Sequence, residues 1–172
     1  MAKDKQTEFF KICLADALIQ LMFYKAYEDI KINEICETAG IGRATFYRHF
    51  GSKANKQELI IFKVKTEWQN YQQNHIEEVH IDRGKALFHF IYENRKLFRL
   101  LHQHKLVSII MVVIENFMID GEFYDKKTSY LMSYFTYGYF GLIYQWIKYD
   151  FDESPEEVMK HINDILFKSK AT

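Results

Sequence analysis

Two short amphipathic segments, separated by the tripeptide Gly40–Ile41–Gly42, constrain the fold of this 172-residue chain more than any other feature. The first segment predicts a helix from Asn33, its expected cap, to Ala39. This helix is expected to stop at Gly40, because glycine is the residue best able to adopt the left-handed conformation after a helix end. The second segment, Arg43–Phe50, predicts another short helix. Two short helices joined by a glycine-bearing turn are typical of the helix-turn-helix motif.

Helix breakers are scarce along the chain, which has one proline and seven glycines. This composition suits long helices more than a sandwich of many short, turn-punctuated strands. We therefore predict an all-α protein of about nine helices, with residues 1–56 as a helix-turn-helix domain and residues 57–172 as a second helical domain. The other expected helices run from Lys5 to Tyr24, from Gln57 to His75, from Arg83 through Phe98, from Val107 to Met118, from Glu122 to Tyr149 and from Glu156 to Lys168. Asp82 is the expected cap of the helix that begins at Arg83, and a break at Gly121 precedes the helix that begins at Glu122. Ser154 is the expected cap of the last helix, with Pro155 at its first position.

The second helix of the pair carries polar groups around two apolar anchors, Phe46 and Phe50, which lie four residues apart. Such a helix fits a major groove about 12 Å wide, where early residues reach base edges and later ones reach phosphates. Arg43 is the candidate for a bidentate contact with guanine, and Thr45 for a thymine methyl group or a phosphate. The alternative is an ordinary amphipathic helix with a solvated basic face. The predicted DNA-binding residues are Arg43, Ala44, Thr45, Tyr47, Arg48, His49 and Lys53.

The segment Tyr27–Phe50, YEDIKINEICETAGIGRATFYRHF, resembles the DNA-binding signature of the TetR/AcrR family of bacterial regulators. The first helix and the segment after Phe50 match the family as well, so the resemblance covers about the first 65 residues. It implies a three-helix DNA-binding head, a long connecting fourth helix, and a helical C-terminal domain that dimerises and often binds a small effector.

The chain departs from the family pattern at three places. Gly42 stands where the family usually has a capping serine, and Lys31 stands where a threonine usually begins the second helix. A glycine cap costs only a few tenths of a kcal/mol relative to serine, so the fold is expected to survive. Ala54, Asn55 and Lys56 look like an insertion that lengthens the joint into the fourth helix and puts the phosphate contact of Lys53 in doubt.

The formal net charge of zero conceals a modest asymmetry along the chain. Residues 1–65 hold nine Lys and two Arg against eight acidic residues, whereas residues 66–172 have an acidic excess of three. A local basic face can still bind phosphates, because charge interactions are screened within about 10 Å at ordinary salt.

Several other classes of protein are disfavoured by the sequence. Cys13 and Cys36 are too few for a disulfide framework, the N-terminal segment lacks the apolar run of a secretory signal, and no stretch is apolar enough for a membrane span, so we expect a cytoplasmic protein. The sequence has no recognised catalytic motif, and its histidines lack metal-ligand spacing. We expect no enzymatic activity, no metal and no cofactor.

The C-terminal part of the sequence suggests a dimer interface but does not decide whether the protein binds a small ligand. Gly138 and Gly141 interrupt a predicted helix, which suggests close approach by another helix, and Trp146 is a further candidate interface residue. The alternative is that these residues fill the core within one chain. An aromatic effector pocket could include Phe88, Tyr92, Phe117, Phe123, Tyr134 and Tyr137, although core packing explains each of them equally well.

These observations predict a regulator that binds double-stranded DNA as a homodimer on a palindromic operator. We expect a repressor that is released by a small apolar or aromatic effector or by a protein partner. The alternative is a ligand-free coactivator or adaptor that uses the same fold to bind a partner protein.

Overall fold

A computed structural model of the chain describes residues 2–51, 55–118 and 124–167. Within these ranges the protein consists of ten α-helices and one short 3-10 turn and contains no strand, so the predicted all-α class is confirmed. The elements are α1 Ala2–Met22, the 3-10 turn Tyr27–Asp29, α2 Ile32–Ala39, α3 Arg43–Phe50, α4 Lys56–Asn74, α5 Ile76–Ile81, α6 Arg83–Glu93, α7 Arg95–Gln103, α8 Val107–Met118, α9 Lys126–Lys148 and α10 Pro155–Phe167. None of these helices is long and apolar enough to cross a membrane.

The N-terminal helices pack around a small apolar core. Helix α1 contacts α2, α3 and α4, and α2 contacts α3. The side chains of Leu14, Leu18, Ile35, Phe46 and Leu59, which come from all four helices, are completely buried. Gly40 ends α2 with a φ of +65°, the left-handed conformation that glycine adopts without strain. This core and this turn hold α3 at a fixed angle to α1 and α2.

Two helix starts in this region differ from the predicted ones. Lys31, not Asn33, caps α2, because the Glu34 carboxylate accepts a hydrogen bond of 2.8 Å from the Lys31 backbone N–H. Helix α4 begins at Lys56 behind Asn55, whose side-chain oxygen accepts from the Glu58 N–H at 3.2 Å. Two of the three residues interpreted as an insertion therefore form the cap and first residue of α4.

The C-terminal helices also differ in number and bounds from the predicted ones. The single helix expected from Arg83 through Phe98 was wrong, because the chain breaks at Asn94 and continues as α7. Helix α5 was not predicted. Helix α9 starts at Lys126 and not at Glu122, since the Asp125 carboxylate accepts from two N–H groups of its first turn. The predicted break at Gly121 lies outside the described residues.

Other predicted helix signals are confirmed. Helix α8 has the expected bounds, and the Asp82 carboxylate caps α6 by accepting from the Lys85 N–H at 2.9 Å. Before α10, the Ser154 hydroxyl accepts from the Glu157 N–H at 3.3 Å, and the Glu157 carboxylate accepts from the Ser154 N–H at 2.8 Å. These reciprocal bonds form a capping box, with Pro155 at the first helical position.

Helix α4 connects the two parts of the fold, since it contacts both α1 and α8. Its second half carries Trp68, whose ring centroid lies 5.1 Å from that of Phe90 on α6 and 4.8 Å from that of Phe117 on α8. All three rings are buried. A movement of α4 would therefore change its contacts with α1 in the N-terminal part and with α6 and α8 in the C-terminal part.

Candidate nucleic-acid interface

Helix α3 is anchored by one aromatic edge. The Phe46 side chain is completely buried, and its ring centroid lies 5.4 Å from that of Phe50 and 5.2 Å from that of Tyr47. Lys11 on α1 places its ammonium group 5.3 Å from the Phe50 ring centroid. Because this edge is fixed against the core, the remaining faces of α3 are turned outward.

The outward faces of α3 carry the predicted contact residues. Arg43, Ala44 and Arg48 are exposed. Thr45, Tyr47 and His49 are half-buried. Helix α3 contains no acidic residue, so its outer surface is positively charged or neutral. Lys53 lies outside the described residues.

Two of these side chains are supported by aromatic contacts. The Arg43 guanidinium carbon lies 5.9 Å from the centroid of the Tyr47 ring, one helical turn further along α3. The His49 ring centroid lies 5.9 Å from that of Phe10 on α1. Cation–aromatic contacts of this length restrict a long side chain without removing its N–H groups from solvent. Arg43 is thus held at the exposed start of the helix with its donors available.

Gly42 precedes α3 as its cap residue, in an extended conformation with φ of −65° and ψ of 143°. Any amino acid can adopt these angles, and no atom lies within 4 Å of the position that an added Cβ would occupy. A serine, the usual residue of the family at this position, would therefore fit without rearrangement. Its absence removes a hydroxyl from the surface beside Arg43 and leaves the backbone unchanged.

The turn between α1 and α2 is held from one side by Lys56, which the family pattern suggested only as part of an insertion. Its ammonium group donates a hydrogen bond of 2.8 Å to the carbonyl of Ile30 and another to the carbonyl of Tyr27. It also lies 4.4 Å from the centroid of the Tyr27 ring. Burial lowers the pKa of Lys56. The spacing Asn55–x–x–Glu58 is a helix-start signal and could have placed Lys56 at the first position of α4.

His104 holds the same turn from the other side. Its Nε2–H donates to the Met22 carbonyl at 2.8 Å, and its Nδ1 accepts from the Tyr27 backbone N–H at 3.2 Å. His104 is the residue that ends α7, so these bonds join the C-terminal helices to the head. No local sequence pattern could have predicted this contact, because the partners lie 77 and 82 positions away along the chain.

Comparisons with known proteins agree with this geometry. Residues 14–59 match a family model described as bacterial regulatory proteins, tetR family, and residues 84–168 match a model described as transcriptional regulator C-terminal region. The helix-turn-helix head and these matches define the chain as a DNA-binding transcriptional regulator. It belongs to the TetR family, as the resemblance of its first 65 residues predicted. A comparison with curated proteins finds no match.

The residues predicted to line an aromatic pocket do not surround one common cavity. Phe88 and Phe117 are buried in the core, and Tyr92 stacks on Trp146 with 5.5 Å between ring centroids. Tyr134 and Tyr137 are 67% and 57% exposed on α9. Phe123 lies outside the described residues.

The three predicted interface residues also occupy different environments. Gly138 and Gly141 lie on the exposed surface of α9, with no atom within 4 Å of the position of an added Cβ. The close helix approach expected at these glycines is therefore not made within the described chain. Trp146 is 3% exposed, and its indole Nε1–H donates to the Glu153 carbonyl at 3.2 Å, so it packs inside one chain.

A groove of about 620 Å³ runs between α9 and α10. Its lining residues are mainly apolar and aromatic, and they include Trp146. Of the residues predicted for a pocket or an interface, Tyr134, Gly138 and Trp146 line it. The groove continues the exposed apolar surface of α9.

Proposed function

We propose that the protein binds a palindromic operator as a homodimer, inserting α3 of each protomer into successive major grooves. The observation that carries this proposal is the outer surface of α3. It exposes Arg43, Ala44 and Arg48, contains no acidic residue, and is fixed to the head by the buried Phe46. Repression follows where the operator overlaps a promoter.

Within the proposed complex, the residues of α3 have different roles. Arg43 makes the bidentate contact with a guanine, since it stands at the exposed start of the helix, and Thr45 contacts a thymine methyl group or a phosphate. Tyr47, Arg48 and His49 bind backbone oxygens and set the register of the head on the duplex. Ala44, exposed and small, allows the helix to approach the bases closely.

The proposed dimer forms through the exposed face of α9 and the groove beside α10. Large apolar and aromatic side chains on this face are between 39% and 67% exposed: Tyr130, Leu131, Tyr134, Phe135 and Tyr137. Contiguous exposed apolar surface of this kind marks interaction sites on proteins. Gly138 and Gly141 leave room for a second helix to approach the backbone. A ligand or protein partner of the C-terminal helices would then shift the separation of the two heads.

The DNA-binding part is tested by selecting duplexes from a random pool and measuring their affinity by fluorescence anisotropy across a salt series. We expect specific binding that weakens steeply with salt. Arg43→Ala is expected to weaken specific binding about 10- to 100-fold, whereas Lys96→Ala, an exposed residue on α7, leaves it unchanged. Specific binding that is equal in both variants would refute the proposed orientation of α3. Absence of any specific duplex would favour the adaptor function.

The dimer is tested by sedimentation equilibrium of two matched variants. Leu131 is 54% exposed on α9, and Ile76 is 57% exposed on α5. We expect Leu131→Glu to dissociate the dimer and Ile76→Glu to leave it intact, since a buried unpaired carboxylate opposes association only where the surface is covered. A monomeric wild-type protein, or a dimer that survives Leu131→Glu, would contradict this interface.

A further inference from the structure

We infer that His89 is a proton-dependent clamp, which holds the start of α10 against α6 while its ring is charged and releases α10 when the ring is neutral. His89 lies on α6 between two glutamates of different helices. Its Nδ1 is 2.6 Å from Oε1 of Glu78 on α5, and its Nε2 is 2.9 Å from Oε1 of Glu156 on α10. An ionised carboxylate can only accept hydrogen bonds, and only the imidazolium form of histidine has an N–H on both nitrogens. The charged ring therefore bonds to both helices, and the neutral ring bonds to one.

The exposure of the two carboxylates decides which bond survives the loss of the proton. Oε2 of Glu78 accepts a hydrogen bond of 2.9 Å from the Tyr71 hydroxyl, and its Oε1 is buried without a donor from any other described residue. The Glu156 side chain is 62% exposed and can turn into water. Because a buried carboxylate oxygen without a donor is costly, the one proton of the neutral ring stays on Nδ1, which faces Glu78. Nε2 then presents a lone pair to Glu156, and the bond to α10 is lost.

The other ionisable groups around the ring do not replace either glutamate. On α6 itself, Lys85 and Glu93 lie four positions before and after His89, and both are exposed. Helices α7 and α9 also pack against α6, but among the described residues neither supplies a hydrogen bond or an ion pair to the ring. On α4, burial and the hydrogen bond to Glu78 raise the pKa of Tyr71, so its hydroxyl remains a donor in alkaline solution. The charge of the ring alone therefore changes the bonds of this cluster.

The first turn of α10 presents one carboxylate to the ring. Glu156 is the second residue of α10, and its own backbone N–H and then the His89 ring lower the pKa of its carboxyl, so it is ionised in neutral and alkaline solution. Glu157, the other acidic residue of this turn, is engaged by Ser154 in the capping box. The side chain that α10 loses from the clamp is therefore that of Glu156.

Release of the start of α10 changes the groove between α9 and α10, because Val158, His161 and Ile162 of α10 line it. This consequence rests on the proposed function, in which the groove belongs to the dimer face. The bond to Glu156 is present while the ring is charged and is lost as the pH rises past the range in which histidine releases its proton, about 6.5 in a free side chain. We therefore expect the dimer to weaken as the pH rises.

The first test follows the two ring nitrogens of His89 in long-range proton–nitrogen NMR spectra of the full chain, with His89→Gln to assign the signals. We expect both nitrogens to carry a proton at about pH 5.5 and only Nδ1 to carry one at about pH 9. A neutral ring with its proton on Nε2, which faces Glu156, would overturn the inference. This test needs neither DNA nor a dimer.

The second test measures the unfolding equilibrium constant in urea at the same two pH values. Glu156→Ala removes the partner on α10, and Glu77→Ala is the matched control, because Glu77 is also an exposed second residue of a helix. Both variants lose a carboxylate near a helix start, an effect that does not depend on pH in this range. We expect the unfolding constant of Glu156→Ala relative to the wild type to be about two- to fivefold larger at pH 5.5 than at pH 9, the range for a partly exposed ion pair. The ratio for Glu77→Ala stays the same, and an equally constant ratio for Glu156→Ala would refute the clamp.

Sedimentation equilibrium at the same two pH values separates the clamp from the proposed dimer. We expect the dissociation constant of the wild-type dimer to rise about two- to fivefold more between pH 5.5 and pH 9 than that of Glu156→Ala. His161, which also lines the groove, is present in both proteins, so its titration cancels in this comparison. A protein that is monomeric throughout contradicts the proposed dimer, while the NMR and unfolding results still decide the clamp. A dimer with the same pH dependence in both proteins would refute the coupling between the clamp and the groove.

Discussion

Replacing His104 with alanine removes two hydrogen bonds that join the end of α7 to the turn after α1. In the native protein, the Nε2–H group donates to the carbonyl of Met22 at 2.8 Å, and Nδ1 accepts from the N–H of Tyr27 at 3.2 Å. Met22 and Tyr27 are both buried. The substitution therefore leaves a carbonyl and an N–H group without their partners inside the protein.

The magnitude follows from these two groups. A typical hydrogen bond contributes about 1 kcal/mol net, and a buried donor left without an acceptor costs about 1–3 kcal/mol. His104 is half-buried, so water can enter the space vacated by the imidazole and limit the loss. We expect the free energy of unfolding to fall by about 2 kcal/mol, which is a substantial part of the roughly 5–15 kcal/mol typical of a domain.

Urea unfolding followed by circular dichroism measures the global effect, and hydrogen exchange of the Tyr27 amide measures the local one. We expect faster exchange at Tyr27 in the His104→Ala variant. His80→Ala, an exposed histidine on α5, is the control and is expected to stay within about 0.5 kcal/mol of the wild type. An unfolding free energy that falls by less than about 0.5 kcal/mol in His104→Ala, with unchanged exchange at Tyr27, would refute the reasoning.

Three further predictions concern the stability of the protein. Lys56→Met is expected to lower the free energy of unfolding by about 2 kcal/mol in urea, because it removes charge-assisted hydrogen bonds to backbone carbonyls, whereas the exposed Lys127→Met leaves it unchanged. Gly84→Ala is expected to lower the melting temperature with a loss of about 1–3 kcal/mol, since the new Cβ would overlap the Tyr139 hydroxyl, and Tyr139→Phe is expected to recover part of the loss. Burial raises the pKa of Tyr27 to about 12, above roughly 10 in the unfolded chain, so stability is lost as pH rises through this range. Tyr27→Phe is expected to remove about 1–2 kcal/mol of that alkaline loss in pH-dependent urea unfolding.

Local signals in the sequence predicted the helix-turn-helix and several helix ends correctly. Gly40, Asp82 and Ser154 each terminate or cap a helix through bonds to residues within about five positions, so the pattern that identifies them is contained in a short window. Asn55, followed by Glu58 three positions later, is a helix-start signal of the same kind. It was interpreted instead as part of an insertion, because the family pattern is shorter at this place. Asn94, which breaks the helix expected from Arg83 through Phe98, gives no comparable warning because asparagine is tolerated within helices.

Contacts between distant residues could not be predicted in this way. Composition alone does not distinguish an aromatic residue that lines a ligand site from one that fills the core, and Phe88 proved to be completely buried in the core. Tyr134 and Tyr137 were grouped with it and instead lie on an exposed face. The hydrogen bonds of His104 depend on how α7 packs against the end of α1, which no spacing within one helix encodes.

The turn Tyr27–Asp29 connects these observations to regulation, because it is held by two helices that belong to the rest of the molecule. Lys56 reaches it from the start of α4, and His104 reaches it from the end of α7. On the proposed function, a ligand or partner of the C-terminal helices acts on this turn through these two side chains. Such a ligand changes DNA affinity only if it binds the DNA-bound and the free protein with different affinity. By the same linkage, operator DNA must change the affinity of the protein for that ligand by an equal factor, so a ligand titration repeated with and without operator measures the coupling directly.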